Sequence, residues 1–256
     1  MFSRALGFLR RRINAIPIRS RYCCICQTHV LGFQPYRGWK DTPHLMKSLA
    51  VIGSDVKQFG CPRCNSHDRE RHLFLFFKKT GIFQQLTGAS VLHFAPELKL
   101  SAAIRERSPA KYIRCDLYPN SPEIEKIDML NIPYDSETFD FVIANHVLEH
   151  IPDDLAALKE LYRVCKKGGF AILQTPYSSK LVSTLSDPGI DCDFTRLQLY
   201  GQEDHVRLYG QDIFDRFESV GFKARVARHE ELLHDINPVF FGVNADEPFF
   251  LFERTK

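Results

Sequence analysis

No stretch of about 18 consecutive apolar residues occurs in this chain, which excludes a helix that crosses a membrane. A strong excess of one charge is also missing. Thirty-four Lys and Arg face 31 Asp and Glu, a net charge of +3 that is too mild for a dedicated nucleic-acid binder. Met1–Arg21 carries six arginines among apolar residues but no small-residue cleavage site behind a long apolar core, so a secretory signal is not expected. Residues 1–20 read as a basic amphipathic helix that either rests on an anionic membrane surface or packs locally.

Cysteine, in contrast, is plentiful: there are eight in 256 residues, a length that allows one moderate domain with a small appendage. Four lie in two C-x-x-C pairs, Cys23 with Cys26 and Cys61 with Cys64, a spacing that favours metal in a reducing cytoplasm over a disulfide framework. Two thiolates of one such knuckle can both reach a tetrahedral Zn²⁺ at about 2.3 Å, and four thiolates close the site, making it structural. Cys24 could replace Cys23 only with irregular spacing, His67 is a weaker substitute ligand, and free or redox-active thiols are the competing reading. The 34 residues between the pairs, with Phe33 and Trp39, exceed what a compact zinc ribbon usually has. A zinc-ribbon-like lobe is expected over 21–67, then a connecting segment over 68–89 whose helix, Asp68–Lys79, aims Leu73, Phe74, Phe76 and Phe77 at the main domain.

Residues 90–256 alternate short apolar runs with helical stripes, as an α/β doubly wound sheet requires. Ser90–Phe94 reads as a strand followed by the turn Ala95-Pro96-Glu97 and a helix to about Arg107; Lys111–Asp116 is the second strand and Glu125–Leu130 the third. Phe139–Asn145 is a strand buried on both faces, and the polar cluster Asn145, His146, Glu149 and His150 falls at its carboxyl end, where ligands of open α/β sheets bind. A helix from Asp153 to Lys167 is expected to stop at Gly168-Gly169, before a strand Phe170–Gln174. Thr175–Tyr200 reads as irregular, part of a lid or substrate insertion over about 175–210, and strands at Phe222–Arg228 and Pro248–Arg254 complete the sheet.

The strand, NHVLEH, helix, Gly-Gly, strand series resembles the second half of class I S-adenosylmethionine-dependent methyltransferases, of the small-molecule type 11-like kind. The resemblance implies a Rossmann-like seven-stranded methyltransferase sheet with helices on both faces. His93-Phe94-Ala95-Pro96-Glu97 stands where that family has a glycine-rich turn; it contains no glycine, and the HFAPE form resembles a variant from bacterial methyltransferases with an N-terminal cysteine-rich segment. The resemblance places this turn against the methionine part of the cofactor, with Glu97 toward its ammonium group, and Asp128 and Met129 at the adenine. Asn145 and His146 complete its set of cofactor residues. Asp116, about twenty residues beyond the turn, suits the ribose hydroxyls.

Gly201–Gly210 (GQEDHVRLYG) resembles a segment of the same variant. His205 is the candidate general base, with His150 or His146 as alternatives, Asp204 or Glu203 would orient it, and Arg207 and Tyr209 would contact substrate. These residues could equally tie the insertion to the domain. The expected activity is methyl transfer to a small molecule or glycan, most simply onto oxygen. No Asn/Asp-Pro-Pro-aromatic pattern follows the strand Phe139–Asn145, which argues against nucleobase amines as acceptors. An RNA methyltransferase and a non-catalytic zinc-containing binding module are the competing readings.

Overall fold

The computed structural model describes residues 21–36 and 42–256; the basic segment 1–20 and Trp39 lie outside them. In chain order the elements are β1 (Arg21–Cys23), β2 (Thr28–Val30), α1 (His44–Ser48), β3 (Val51–Ile52), α2 (Asp68–Thr80) and α3 (Ile82–Gln85). β4 (Ser90–Phe94), α4 (Leu98–Arg105), β5 (Lys111–Asp116), β6 (Glu125–Lys126), β7 (Phe139–Ala144), α5 (Asp154–Val164) and β8 (Cys165–Ile172) follow. The rest comprises β9 (Tyr177–Ser178), α6 (Asp193–Tyr200), α7 (Ile213–Glu218), β10 (Phe222–Ala224), α8 (His229–Leu232), α9 (Pro238–Phe241) and β11 (Leu251–Arg254).

Seven strands form one sheet in the order β10-β11-β8-β7-β4-β5-β6. β5, β4, β7 and β8 run parallel, whereas β11 enters antiparallel to β8 and pairs antiparallel with β10. The expected α/β sheet with helices on both faces is therefore the fold. Alternation along β7 explains it: Val142 and Ala144 join a core with Leu158, Leu161 and Phe217, while Phe141 and Ile143 join another with Leu73, Phe76 and Leu100. Each fully buried Phe or Leu contributes about 1.5–3 kcal/mol, so neither face can be left open. Strand order reverses at β4 and β7, and the crevice at their carboxyl ends is where such sheets bind ligands.

Two expectations are corrected here. Helix α5 ends at Val164, and Gly168-Gly169 lies inside β8 rather than behind a helix. A β-bulge against Phe139 and Phe141 explains the glycines: Gly168 has φ +73°, and a Cβ on Gly169 would meet the Asp140 carbonyl at 2.8 Å. Thr175–Tyr200 is likewise more regular than its composition implies. It holds β9, which pairs antiparallel with β3, and α6, whose Tyr200 shares an apolar cluster with Met46 of α1. The long interval between the cysteine pairs thus carries elements that grip the insertion, which its loop-rich sequence alone does not reveal.

Candidate functional site

The turn after β4 adopts the backbone that glycine usually supplies. Ala95 has φ +45°, and its amide donates to the Cys115 carbonyl at 2.8 Å. His93 and Glu97 are buried under this turn. His93 Nδ1 lies 2.9 Å from the Tyr112 hydroxyl and Nε2 lies 3.4 Å from Glu97, whose other carboxylate oxygen accepts from the Asn145 amide of the next strand. Burial pushes the Glu97 carboxyl up, but His93 and Arg69 outweigh it and hold the group below its ordinary range. Phe94 is core, and Pro96 leads into α4. At the end of β5, Asp116 accepts the Tyr118 amide at 2.8 Å; Asp128 accepts the Leu130 amide at 2.9 Å, while Met129 is 3% exposed and sits in the core.

The carboxyl end of β7 is the most densely charged part of the crevice. His146, at φ +57°, has Nε2 3.0 Å from Glu247 and Nδ1 3.4 Å from Glu149. Burial and Arg69 pull its imidazole pKa down, but the two carboxylates prevail and lift it to about 9. Glu149 is driven the other way: burial raises it, and His146 with the neighbouring histidines lowers it to about 2. His150 meets His205 edge to face at 4.8 Å between ring centroids.

The expected orientation of His205 by Asp204 is corrected. Asp204 is exposed and faces His150, with its carboxylate 3.4 Å and its carbonyl 3.2 Å from Nδ1, whereas His205 is buried with Nδ1 2.9 Å from the Tyr200 carbonyl. Burial lowers the pKa of His205, with Glu149 opposing. The substrate contacts expected of Arg207 and Tyr209 are met inside the protein. Arg207 pairs with Asp154 at 3.1 Å and donates to the Pro152 carbonyl at 2.6 Å; Tyr209 donates to Asp154 at 2.9 Å, and Arg216 closes on the same carboxylate at 2.7 Å. A carboxylate at the start of α5 has collected three donors, which ties the insertion to the sheet.

The N-terminal thiols converge as their spacing requires. Sγ of Cys23 is 3.8 Å from that of Cys64 and Sγ of Cys26 is 3.9 Å from that of Cys61, and all four lie within 4.8 Å of one another. Tetrahedral bonds of about 2.3 Å place sulfurs roughly 3.8 Å apart, so the set fits one closed metal ion. Cys24 points elsewhere, toward the Arg71 carbonyl, and His67 stacks on Phe59.

Residues 81–173 match the family model described as a methyltransferase domain. The demethylmenaquinone methyltransferase of Oceanobacillus iheyensis is 37% identical over 141 residues, covering 55% of this chain and 51% of the relative. That of Staphylococcus haemolyticus is 26% identical over 145 residues, 56% and 52% of the two chains, and that of Staphylococcus epidermidis RP62A is 44% identical over 45 residues, 18% and 19%. The chain spans about half or less of the length of these curated relatives. Among solved structures, an S-adenosylmethionine-dependent methyltransferase from Mesorhizobium loti is similar at 13% identity and a TM-score of 0.47, covering 68% of this chain and 94% of that one.

The crevice has unsatisfied groups that fit a nucleoside with an amino-acid tail. Asn145 Oδ1 and Glu97 Oε2 are buried acceptors without hydrogen bonds, matched to an ammonium. Leu98, Leu117, Tyr118 and Leu130, each following a strand or turn at that edge, are exposed apolar side chains suited to a purine. The three leucines and Glu247 escaped the sequence reading. Glu247 stands 101 residues from His146, and nothing local to it signals that partnership.

Proposed function

We propose that this chain is an S-adenosylmethionine-dependent methyltransferase acting on a small molecule or glycan, with oxygen as the methylated atom and zinc as a structural ion in the four-thiol lobe. The observation that carries the reading is the crevice at the β4/β7 reversal, where a positive-φ turn, the Glu97 and Asn145 oxygens that lack hydrogen bonds, and Asp116 face the same strand ends. The match of residues 81–173 supports it, and relatives named for demethylmenaquinone favour a small-molecule acceptor.

When bound, the cofactor supplies a methyl sulfonium electrophile. The chain's own part is to hold the reactants in line and exclude water. Ala95 brings backbone close to the methionine part, Glu97 and Asn145 take its ammonium, Asp116 takes the ribose hydroxyls, and Asp128 with the Met129 backbone meets the adenine. The acceptor proton falls to the His150 and His205 pair, of which the part-exposed His150, beside Asp204, reaches solvent. A cavity of about 700 Å³ lined by residues of β3 and β9 with Glu230, Asp246 and Pro248 offers room for an acceptor.

The test is calorimetric titration of the zinc-loaded protein with S-adenosylhomocysteine, repeated on Asp116→Ala. Binding that weakens at least about tenfold in the variant, a loss of roughly 1.4 kcal/mol, supports the reading. Absence of heat and of thermal stabilisation in the unaltered protein overturns it.

A further inference from the structure

We propose that Glu149, His150 and His205 form a second metal site, for a divalent transition-metal cation, separate from the four-thiol centre. One ligand atom from each of the three lies within 4.8 Å of the other two. Their unmet valences point the same way. Glu149 is 1% exposed, and neither of its carboxylate oxygens accepts a hydrogen bond; His205 is 3% exposed, and its Nε2 has no hydrogen-bond partner. Burial of such groups without hydrogen bonds is costly, and a shared cation lowers the cost at all of them together.

The outer contacts select the tautomers a metal needs. A carbonyl oxygen only accepts, so the contact of His205 Nδ1 with the Tyr200 carbonyl at 2.9 Å puts the proton on Nδ1 and leaves the lone pair on Nε2. His150 repeats the arrangement with the Asp204 carbonyl at 3.2 Å and the Asp204 carboxylate at 3.4 Å. Glu149 Oε1 and His205 Nε2 are 4.0 Å apart, too far for a hydrogen bond but within the span of two metal-ligand bonds of about 2.1 Å. His146 faces the same carboxylate oxygen at 3.4 Å and is the one competing cation among the described contacts of Glu149.

Two imidazoles and one carboxylate suit Zn²⁺, Fe²⁺ or Mn²⁺ rather than Ca²⁺ or Mg²⁺. The His150 side chain is 33% exposed, so the ion keeps positions open to an outside oxygen, unlike the closed thiol site. This further role rests on the methyl-transfer reading: an acceptor hydroxyl bound to the cation would lose its proton to water, and its oxygen would form the new O–C bond as the C–S bond of the sulfonium breaks. With the ion bound, His150 and His205 would both be ligands and neither the base, because one lone pair cannot serve both, and the base role given to them above would apply only without the ion. Glu149 and His150 come from the turn after β7 and His205 from the insertion, so the ion would also fasten the insertion over the crevice.

Cobalt titration of the full chain, stripped of metal, tests the site without requiring activity. The expected result is two equivalents: one with intense thiolate charge-transfer absorption and one with weak ligand-field bands alone. Glu149→Gln and His150→Ala should each weaken the second by about 100-fold while leaving the thiolate band, which reports an intact fold; Asp204→Asn, at a positioning residue, should weaken it about tenfold. Saturation at one equivalent in the unaltered protein overturns the proposal, as does a second equivalent that survives in both ligand variants. Should a variant lose the thiolate band, displacement of cobalt from the unaltered protein by Zn²⁺, with two resolved spectral steps expected and one step overturning the site, decides the matter. Cobalt binding without any response to S-adenosylhomocysteine would keep the metal site and sink only the reaction assigned to it.

Discussion

The guanidinium of Arg71 lies 3.8 Å above the ring of Phe33. Arg71 is fully buried on α2, and it donates to the carbonyls of Gln58, Phe59 and Ser66 in the thiol lobe and of Phe241 and Gly242 at the end of α9. One side chain therefore joins the thiol lobe to the end of α9. Arg71→Leu leaves those acceptors bare and should lower unfolding free energy by at least ~3 kcal/mol in urea titrations. Gly242→Ala probes the same joint from the other side, because Gly242 has φ +61° and a Cβ there would overlap the Phe33 ring. It should also destabilise, by ~2 kcal/mol or more, and hasten metal release to a chelator. A change below ~0.5 kcal/mol in both would show that the lobe is not anchored through this contact.

Ala95→Gly should stabilise the protein, against the usual direction of such a change. A left-handed backbone costs a non-glycine residue about 1–2 kcal/mol, and glycine adds about 0.5–1 kcal/mol of unfolded-state entropy, leaving a gain of ~0.5–1 kcal/mol. The φ of +45° at Ala95 is the observation behind the sign. Denaturant midpoints for the two proteins measure it, and a loss of stability would mean that the alanine methyl packs usefully in the turn.

The turn also illustrates what could be read from residues alone. The strands ending at Phe94, Asp116 and Ala144 are legible because each is a short run rich in β-branched or aromatic residues that stops at a turn, and the crevice follows from their order. Gly168-Gly169 reads as a helix stop because a helix stop and a bulge ask the same of glycine, and only the Asp140 carbonyl on the neighbouring strand separates them. The link of β3 to β9 was beyond reach, since two-residue strands carry no periodicity. Arg207 and Tyr209 look like site chemistry in sequence because buried ion networks and active sites use the same residue types.

Acid should loosen the joint between α2 and α8. His72 Nε2 lies 2.9 Å from His229 Nδ1, and burial, reinforced by His229 and opposed by Glu247, lowers the His72 pKa to about 3. Its folded value is below the ordinary one near 6.5, so the unfolded chain binds the extra proton, and stability is lost as pH falls from about 6.5 toward 3, by at most ~1.4 kcal/mol per pH unit. His72→Gln can keep a hydrogen bond to His229 without titrating. Urea melts at pH 7, 6, 5 and 4 should show a shallower acid decline in this variant; equal slopes would assign the decline to other groups.

Arg207→Gln separates an internal strut from a substrate clamp. The Arg207 guanidinium and the Tyr209 hydroxyl both reach Asp154, which is 2% exposed, and Arg216 holds the same carboxylate at 2.7 Å. Burial pushes that carboxyl up, yet Arg216 and Arg207 keep it ionised below its ordinary range, so removing one partner exposes a charge that water cannot reach. The expected loss is ~2–4 kcal/mol in Arg207→Gln and ~3–5 kcal/mol in Asp154→Ala, which strands two guanidinium groups at once. The double variant should cost less than the sum, because the two side chains share one interaction. If Arg207→Gln melts within ~0.5 kcal/mol of the unaltered protein and the pair is additive, the network does not carry the insertion, and Arg207 is free to contact substrate as its sequence context suggests.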